Sequence, residues 1–352
     1  MANGKYLVYG AGYTRNKKDG IRIFDFDPET GHVTYRNSIE ITNPSYITIS
    51  HNKKYLYSIT DDGIVSFKLN QEDGSLEKLN LVDINGMRGC YISTDYEDKF
   101  IFVAGYHDGK VTVLSLNEDG SAGEITDEIY HKGTGSIVDR NFRPHVDCVR
   151  MTRDNKFLCA TDVGMDHIKV YRLDHNTGKL RLADIVRCDL DAAPHHIKFS
   201  RDGRFAYVTN ELKCTIDVYR YECDEEDQPR FEKIQSVLTI DHHSAENACA
   251  YAIQITEDNE YIFCSNAGDD SITAMKRDAG SGLLSPLFVL PISGRFPKDF
   301  AISEDNRFLL AMNNESNTIS TFTINYDNNT IAMNGPFTDF YAGNCLIIHR
   351  LG

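Results

Sequence analysis

One plan recurs six times along this chain, and that repetition constrains the fold more than any local feature. The copies read "SYITISHNKKYLYSITDDGIVSFKL", "CYISTDYEDKFIFVAGYHDGKVTVLSL", "CVRMTRDNKFLCATDVGMDHIKVYRL", "HIKFSRDGRFAYVTNELKCTIDVYRY", "AIQITEDNEYIFCSNAGDDSITAMKR" and "FAISEDNRFLLAMNNESNTISTFTI". Each opens with a short alternating run that ends in Ser or Thr, at Ser50, Ser93, Thr152, Ser200, Thr256 and Ser303, roughly 43 to 59 residues apart. A polar turn leads to a second run rich in Tyr, Phe, Leu and Val. A polar loop then leads to a third run of β-branched residues, and a turn such as "DHNTGKL" leads to a less regular fourth. Short apolar runs between turn signals are strands. Four short antiparallel strands per repeat form the unit of a β-propeller.

The N-terminal "KYLVYGAGYT…GIRIFDFDPETGHV" supplies the second and third strands of such a unit, and the C-terminal "NCLIIHR" supplies an orphan first strand. Joined, they make a seventh blade closed by both ends of the chain, which removes a sheet edge that would invite aggregation. The expectation is an all-β, seven-bladed propeller occupying residues 1–352 as one domain. Strand parity then puts the loops before the inner strands, and those between second and third strands, on one face. "RPHVD", "APHHIKF", "GRFPKDF", "TDVGMD" and "TNELK" all fall there.

Composition narrows the function. With 37 basic against 52 acidic residues the formal charge is −15, and no Lys/Arg-rich run stands out, which argues against nucleic acid or an anionic membrane as partner. No stretch approaches the roughly 18 apolar residues of a membrane helix, and "MANGKYLVYG" lacks the apolar core of a signal peptide, so a cytoplasmic location is expected. The nine cysteines are scattered singly and read as reduced, mostly buried thiols.

"NPSYITIS", "GMRGCYIS", "RPHVDCV", "PHHIKFSRDGRFAYVTNEL" and "GRFPKDFAISEDNRFLLAMNNESNTISTF" follow one another in an order and spacing that resemble the seven-bladed lactonases. That group contains propeller-type 6-phosphogluconolactonases and fungal carboxymuconate-lactonizing enzymes. The resemblance runs nearly end to end. It implies hydrolysis of 6-phosphogluconolactone to 6-phosphogluconate, a step of the pentose phosphate pathway. It also implies a site at His145, Glu211 and Arg295. The chain departs from the family pattern where His195 stands for a usual arginine, where Asp147 replaces a second histidine, and where Tyr251 and Ala252 replace a usual Ala-Glu.

Opening a lactone needs a base for water, a donor for the oxyanion and a cation for an anionic substrate group. His145 is the expected base, since an imidazole titrates near neutral pH. Glu211 would orient it or serve as base itself. Arg295 and Arg143 would grip a phosphate or carboxylate through two N–H groups. Asp147, Asp162, His195 and Lys298 are expected as further substrate-binding groups. His195 and His196, adjacent on a strand, are expected to point to opposite faces, so that only one enters the site. "TIDHHSAENA", with His242 and His243, reads equally as a lid or a solvated loop.

A metal built from His145, His195 and Asp147 is conceivable, but no ligand spacing supports it, so neither metal nor cofactor is expected. The expected partner is a small anionic lactone, acting on a monomer or weak homodimer. The rival readings are a cycloisomerase that forms a muconate-type lactone, and a propeller that binds a protein without catalysis.

Overall fold

The alternating runs become strands because each blade buries both of its faces against its neighbours. A computed structural model describes residues 5–15, 17–135, 143–241 and 247–352. Among them are seven antiparallel sheets, six of four strands and one extended by the short strand Thr338–Asp339. The inner strands are Gly343–Arg350 in blade 1, Ile47–Ile49 in blade 2, Tyr91–Thr94 in blade 3 and Val146–Met151 in blade 4. Pro194–Phe199, Cys249–Ile255 and Pro297–Ile302 follow in blades 5, 6 and 7. Each lies beside the next, and that of blade 1 meets those of blades 7 and 2, so the ring closes. Closure is the expected one: Gly343–Arg350 pairs with Tyr6–Gly12 from Tyr6 opposite Arg350 to Gly12 opposite Gly343.

The apolar core lies between blades. Its largest cluster runs from Tyr91 and Phe102 of blade 3 through Val149 and Phe157 of blade 4 to Ile197 and Val208 of blade 5. Each such side chain taken from water contributes ~1.5–3 kcal/mol. Tyrosines in second strands also tie a blade to the next: Tyr9, Tyr57 and Tyr207 donate to the carbonyls of Gly74, Gly120 and Gly282 at 2.8–2.9 Å.

The Ser or Thr that ends an inner strand has a structural task. Ser50, Thr152, Ser200, Thr256 and Ser303 each accept the amide N–H five residues on, at 2.9–3.1 Å. Each also donates to the Asn or Asp two residues on, at 2.5–2.9 Å. The turn then passes through a left-handed residue such as Asn155, Gly203, Asn259 or Asn306. In blade 3 the expectation of Ser93 at this place is corrected. Asp95 holds it, its carboxylate accepting Phe100 N–H at 2.8 Å, while Ser93 donates to the Val149 carbonyl of blade 4 at 2.7 Å.

Candidate active site

Counting five residues back from each closing Ser, Thr or Asp lands on Ser45, Cys90, Asp147, His195, Tyr251 and Lys298, one per blade, with Asn344 in blade 1. These seven side chains meet around the mouth of the central channel, where they line a small inner recess together with Tyr13, Tyr46 and His196. Above it opens a cavity of about 860 Å³, walled by residues that include Arg88, Tyr106, His107, Glu211, Asn247 and Phe296.

Local backbone geometry explains why polar side chains can stand at that level. In blades 4, 5, 6, 7 and 1 the ladder between inner and second strand slips there, leaving Asp147, His195 with His196, Tyr251 with Ala252, Lys298 and Asn344 without a direct partner. Such bulges bend the strand and re-aim the extra side chain. Hydroxyls of the second strands take up the displaced backbone groups. Thr161 accepts Cys148 N–H and donates to the His195 carbonyl of the next blade, and Thr209 does the same with His196 and Tyr251. Two chain reversals into the site pass through left-handed residues that are not glycine, Ala193 and Phe296. Their amides are held by Asp166 and Asp270, each at the top of the preceding blade.

The bulge overturns the expectation that His195 and His196 face opposite ways. Their rings lie 4.3 Å apart, with Nε2 atoms 3.0 and 4.0 Å from the same Asp147 oxygen. Tyr251 covers His195 at 4.1 Å between ring centres. Burial works against a charge on His195, but the Asp147 carboxylate and Glu211 outweigh it, so its pKa is raised. Burial lowers the Lys298 pKa against the opposing pull of Asp147, Cys90 and Glu211. Burial also drives the His196 pKa well down, with His195 adding to it, and pushes the Cys90 thiol and Tyr251 hydroxyl well up. Arg88 reaches the rim, paired to Asp61 at 2.5 Å and lying over Tyr13 at 4.8 Å.

Of the residues expected from sequence, Asp147, His195, Glu211 and Lys298 line this cavity. Four others do not. His145 is buried behind the wall, stacked on Tyr106 at 4.3 Å with Nδ1 2.8 Å from the Tyr106 carbonyl, and it is Tyr106 that lines the cavity there. Asp162 is fully buried, 2.6 Å from His131 and accepting His145 N–H, which makes it a strut between blades 3 and 4. Arg295 is 74% exposed and pairs with Glu315, and Arg143 is exposed as well. Near these loop arginines the wall is formed by Phe296 and Lys298, and by Asp147, instead. His242 and His243 lie outside the described residues. Sequence reasoning missed Arg88, Cys90, Tyr106 and Tyr251 as wall residues. The register count from the closing Ser, Thr or Asp would have found Cys90 and Tyr251.

Among the described residues three groups bring three ligand atoms within 4.8 Å of one another: Asp147, His195 and His196 at the channel mouth, His131, Asp162 and His167 inside the blades, and Asp95, Glu97 and His175 on the opposite face. At the mouth, the charge on Lys298 and the proton favoured on His195 already supply positive charge to Asp147.

A propeller whose channel mouth gathers acid, imidazole and ammonium groups is the architecture of an enzyme class, and the chain belongs to the family of seven-bladed β-propeller lactonases, which matches residues 7–347. It is similar to the 6-phosphogluconolactonase of Bacillus subtilis strain 168, at 29% identity over 90% of this chain and 91% of that protein. The 6-phosphogluconolactonase of Formosa agariphila is 28% identical over 86% of this chain and 88% of its own length. A solved structure from Bacteroides fragilis superposes with a TM-score of 0.89 at 27% identity over 99% of both chains. A periplasmic gluconolactonase of Pseudomonas aeruginosa shares the fold, with a TM-score of 0.92 at 24% identity over 99% of this chain and 100% of its own. Asp147, His195 and Tyr251, the positions expected from sequence to depart from the family pattern, are neighbours at the channel mouth. Among the described residues no helix is long and apolar enough to cross a membrane.

Proposed function

We propose that this protein hydrolyses a sugar-acid δ-lactone, 6-phosphogluconolactone in the first place, at the channel mouth. The observation that carries the reading is the convergence of Glu211, the Asp147–His195 pair, Lys298 and Arg88 on one cavity large enough for a hexose derivative. The family membership supports the reaction class, and the names of the two bacterial relatives support the substrate.

Glu211 is the base in this scheme. It takes a proton from water as the water oxygen bonds to the lactone carbonyl carbon. Lys298, at the floor, donates to the oxyanion. Collapse breaks the bond to the ring oxygen, which leaves as an alkoxide and is protonated by Glu211 or the His195 imidazolium, giving the free acid. Asp147 keeps that imidazolium charged and oriented. Arg88, anchored by Asp61, offers its remaining N–H groups to the phosphate at the rim. His145 serves as a positioning residue through Tyr106.

The test is the rate of 6-phosphogluconolactone opening above its spontaneous background, with glucono-δ-lactone run beside it. Acceleration of the phosphorylated lactone that is lost in Glu211→Gln upholds the proposal. A parent protein that adds nothing to the background refutes the substrate.

A further inference from the structure

At the opposite end of the same inner strands lies a second pocket, of about 250 Å³, lined by Tyr96, Arg150, Arg153, Lys198, Arg201 and Gln254 among others. Blades 4 and 5 build it by repeating one pattern. Each carries a cation two residues before its closing Thr or Ser and another one residue after: Arg150 and Arg153 around Thr152, Lys198 and Arg201 around Ser200. The same places in blades 6 and 7 hold Gln254 and Glu257, then Ala301 and Glu304.

Four cations thus converge in a chain of formal charge −15, and among the described residues three of them form no ion pair, although the Asp299 carboxylate acts on Lys198 from beyond salt-bridge distance. Among the described residues, Arg201 pairs with Glu257, while Arg150, Arg153 and Lys198 have no carboxylate within salt-bridge distance. Arg150 donates to the Tyr91 hydroxyl, at 3.3 Å. Arg153 lies over the Tyr96 ring at 5.3 Å, and its Nε is buried without a hydrogen-bond partner. Like charges gathered in a recess with fewer acids than cations raise the free energy of the folded state. An anion in the recess removes that cost, and two guanidinium forks with an ammonium match the oxygens of a phosphoryl group.

We propose that this pocket is a binding site for a dianionic phosphoryl group, free or carried on a small ester, separate from the catalytic cavity. The state of Lys198 fits such a site. Burial and then Arg150 bring its pKa down to about 7, against the opposing pull of Cys148, Asp299 and Cys345. His196, packed above, is itself disfavoured as a cation by burial, by His195 and by Lys198. A bound anion raises the Lys198 pKa, so binding at pH 8 takes up a proton.

Isothermal titration of the full-length protein at pH 8 tests this with inorganic phosphate, a sugar phosphate and sulfate as probes. Expected are saturable binding of phosphate, a roughly tenfold loss of affinity in Arg153→Ala, and a larger loss in Arg153→Ala with Lys198→Met. Lys298→Met, at the other end of the channel, leaves this binding in place. Sulfate does not titrate near neutrality, so its binding heat in two buffers of different ionisation enthalpy reports the proton taken up by Lys198. A sugar phosphate that binds more tightly than phosphate identifies the ester as the source. Absence of saturation at 20 mM phosphate, on the order of the weakest useful affinity, overturns the proposal. Equal affinity in parent and Arg153→Ala does so too, as does loss of binding in Lys298→Met alone.

Discussion

The two ends of the inner strands differ in how their charges are balanced. At the upper mouth, Asp147 and Glu211 stand among Lys298, Arg88 and His195, and each cation has an acid in its field. At the lower mouth, cations collect on blades 4 and 5 while the equivalent acids, Glu257 and Glu304, stand on blades 6 and 7. One repeated backbone therefore offers seven equivalent places at each level, and the choice of side chain in each blade decides what the level does. The upper end is balanced for proton transfer, and the lower end is left in want of an anion.

The largest effect expected from disturbing this contrast is that of Glu211→Gln. It should lower kcat for lactone opening on the order of 10²–10⁴-fold, the usual contribution of a general base. Phosphate binding at the lower pocket should be untouched, and steady-state kinetics with calorimetry on the same preparation checks both.

Lys198→Met tests the cost of the unbalanced end. Because the folded pKa of Lys198 lies near 7, below that of an unfolded lysine, the unfolded chain binds the extra proton between those values, and this group's destabilisation is full below pH 7 and fades as pH rises. Removing it should stabilise the protein by about 1–3 kcal/mol in urea unfolding at pH 7. The gain should be smaller at pH 9.5, and the opposite order would show that burial and Arg150 do not outweigh Asp299 at Lys198.

Arg88→Ala sharpens the upper site. It should raise KM for the phosphorylated lactone about tenfold with little change for the unphosphorylated one, worth ~1.4 kcal/mol. Arg295→Ala, whose side chain faces solvent beside Glu315, should change KM by less than about twofold, as surface ion pairs do. A reversal of these two would return the phosphate contact to Arg295.

The smallest effect concerns what the ends share. Ser200→Ala removes a hydroxyl that bonds both Phe205 N–H and Asp202, and should cost ~1 kcal/mol in urea unfolding without altering kcat.

Much of this molecule could be read before its structure was known. Seven blades, closure by both termini and the face that carries the ionisable loops follow from repeats and strand parity, since period-2 burial and turn chemistry are local properties. The site was legible in part. Motifs led to Asp147, His195, Glu211 and Lys298, but also to Arg295 and Asp162, because a motif marks a loop and does not say which side chain faces the cavity. Ser93 was matched to a place that Asp95 fills, since one carboxylate can do the turn-closing work of a hydroxyl.

The sequence by itself determined the backbone plan, because alternation, turn residues and closing hydroxyls act within a single blade. Only the tertiary structure decided which groups meet. The inner-strand bulges bring His195 and His196 to one Asp147 oxygen against the alternation rule, and the ring of blades sets residues from opposite ends of the chain around one cavity. The physical reason is that a bulge and a ring closure are stabilised by contacts from neighbouring blades, such as Thr161 on the His195 carbonyl, which no local pattern of residues contains.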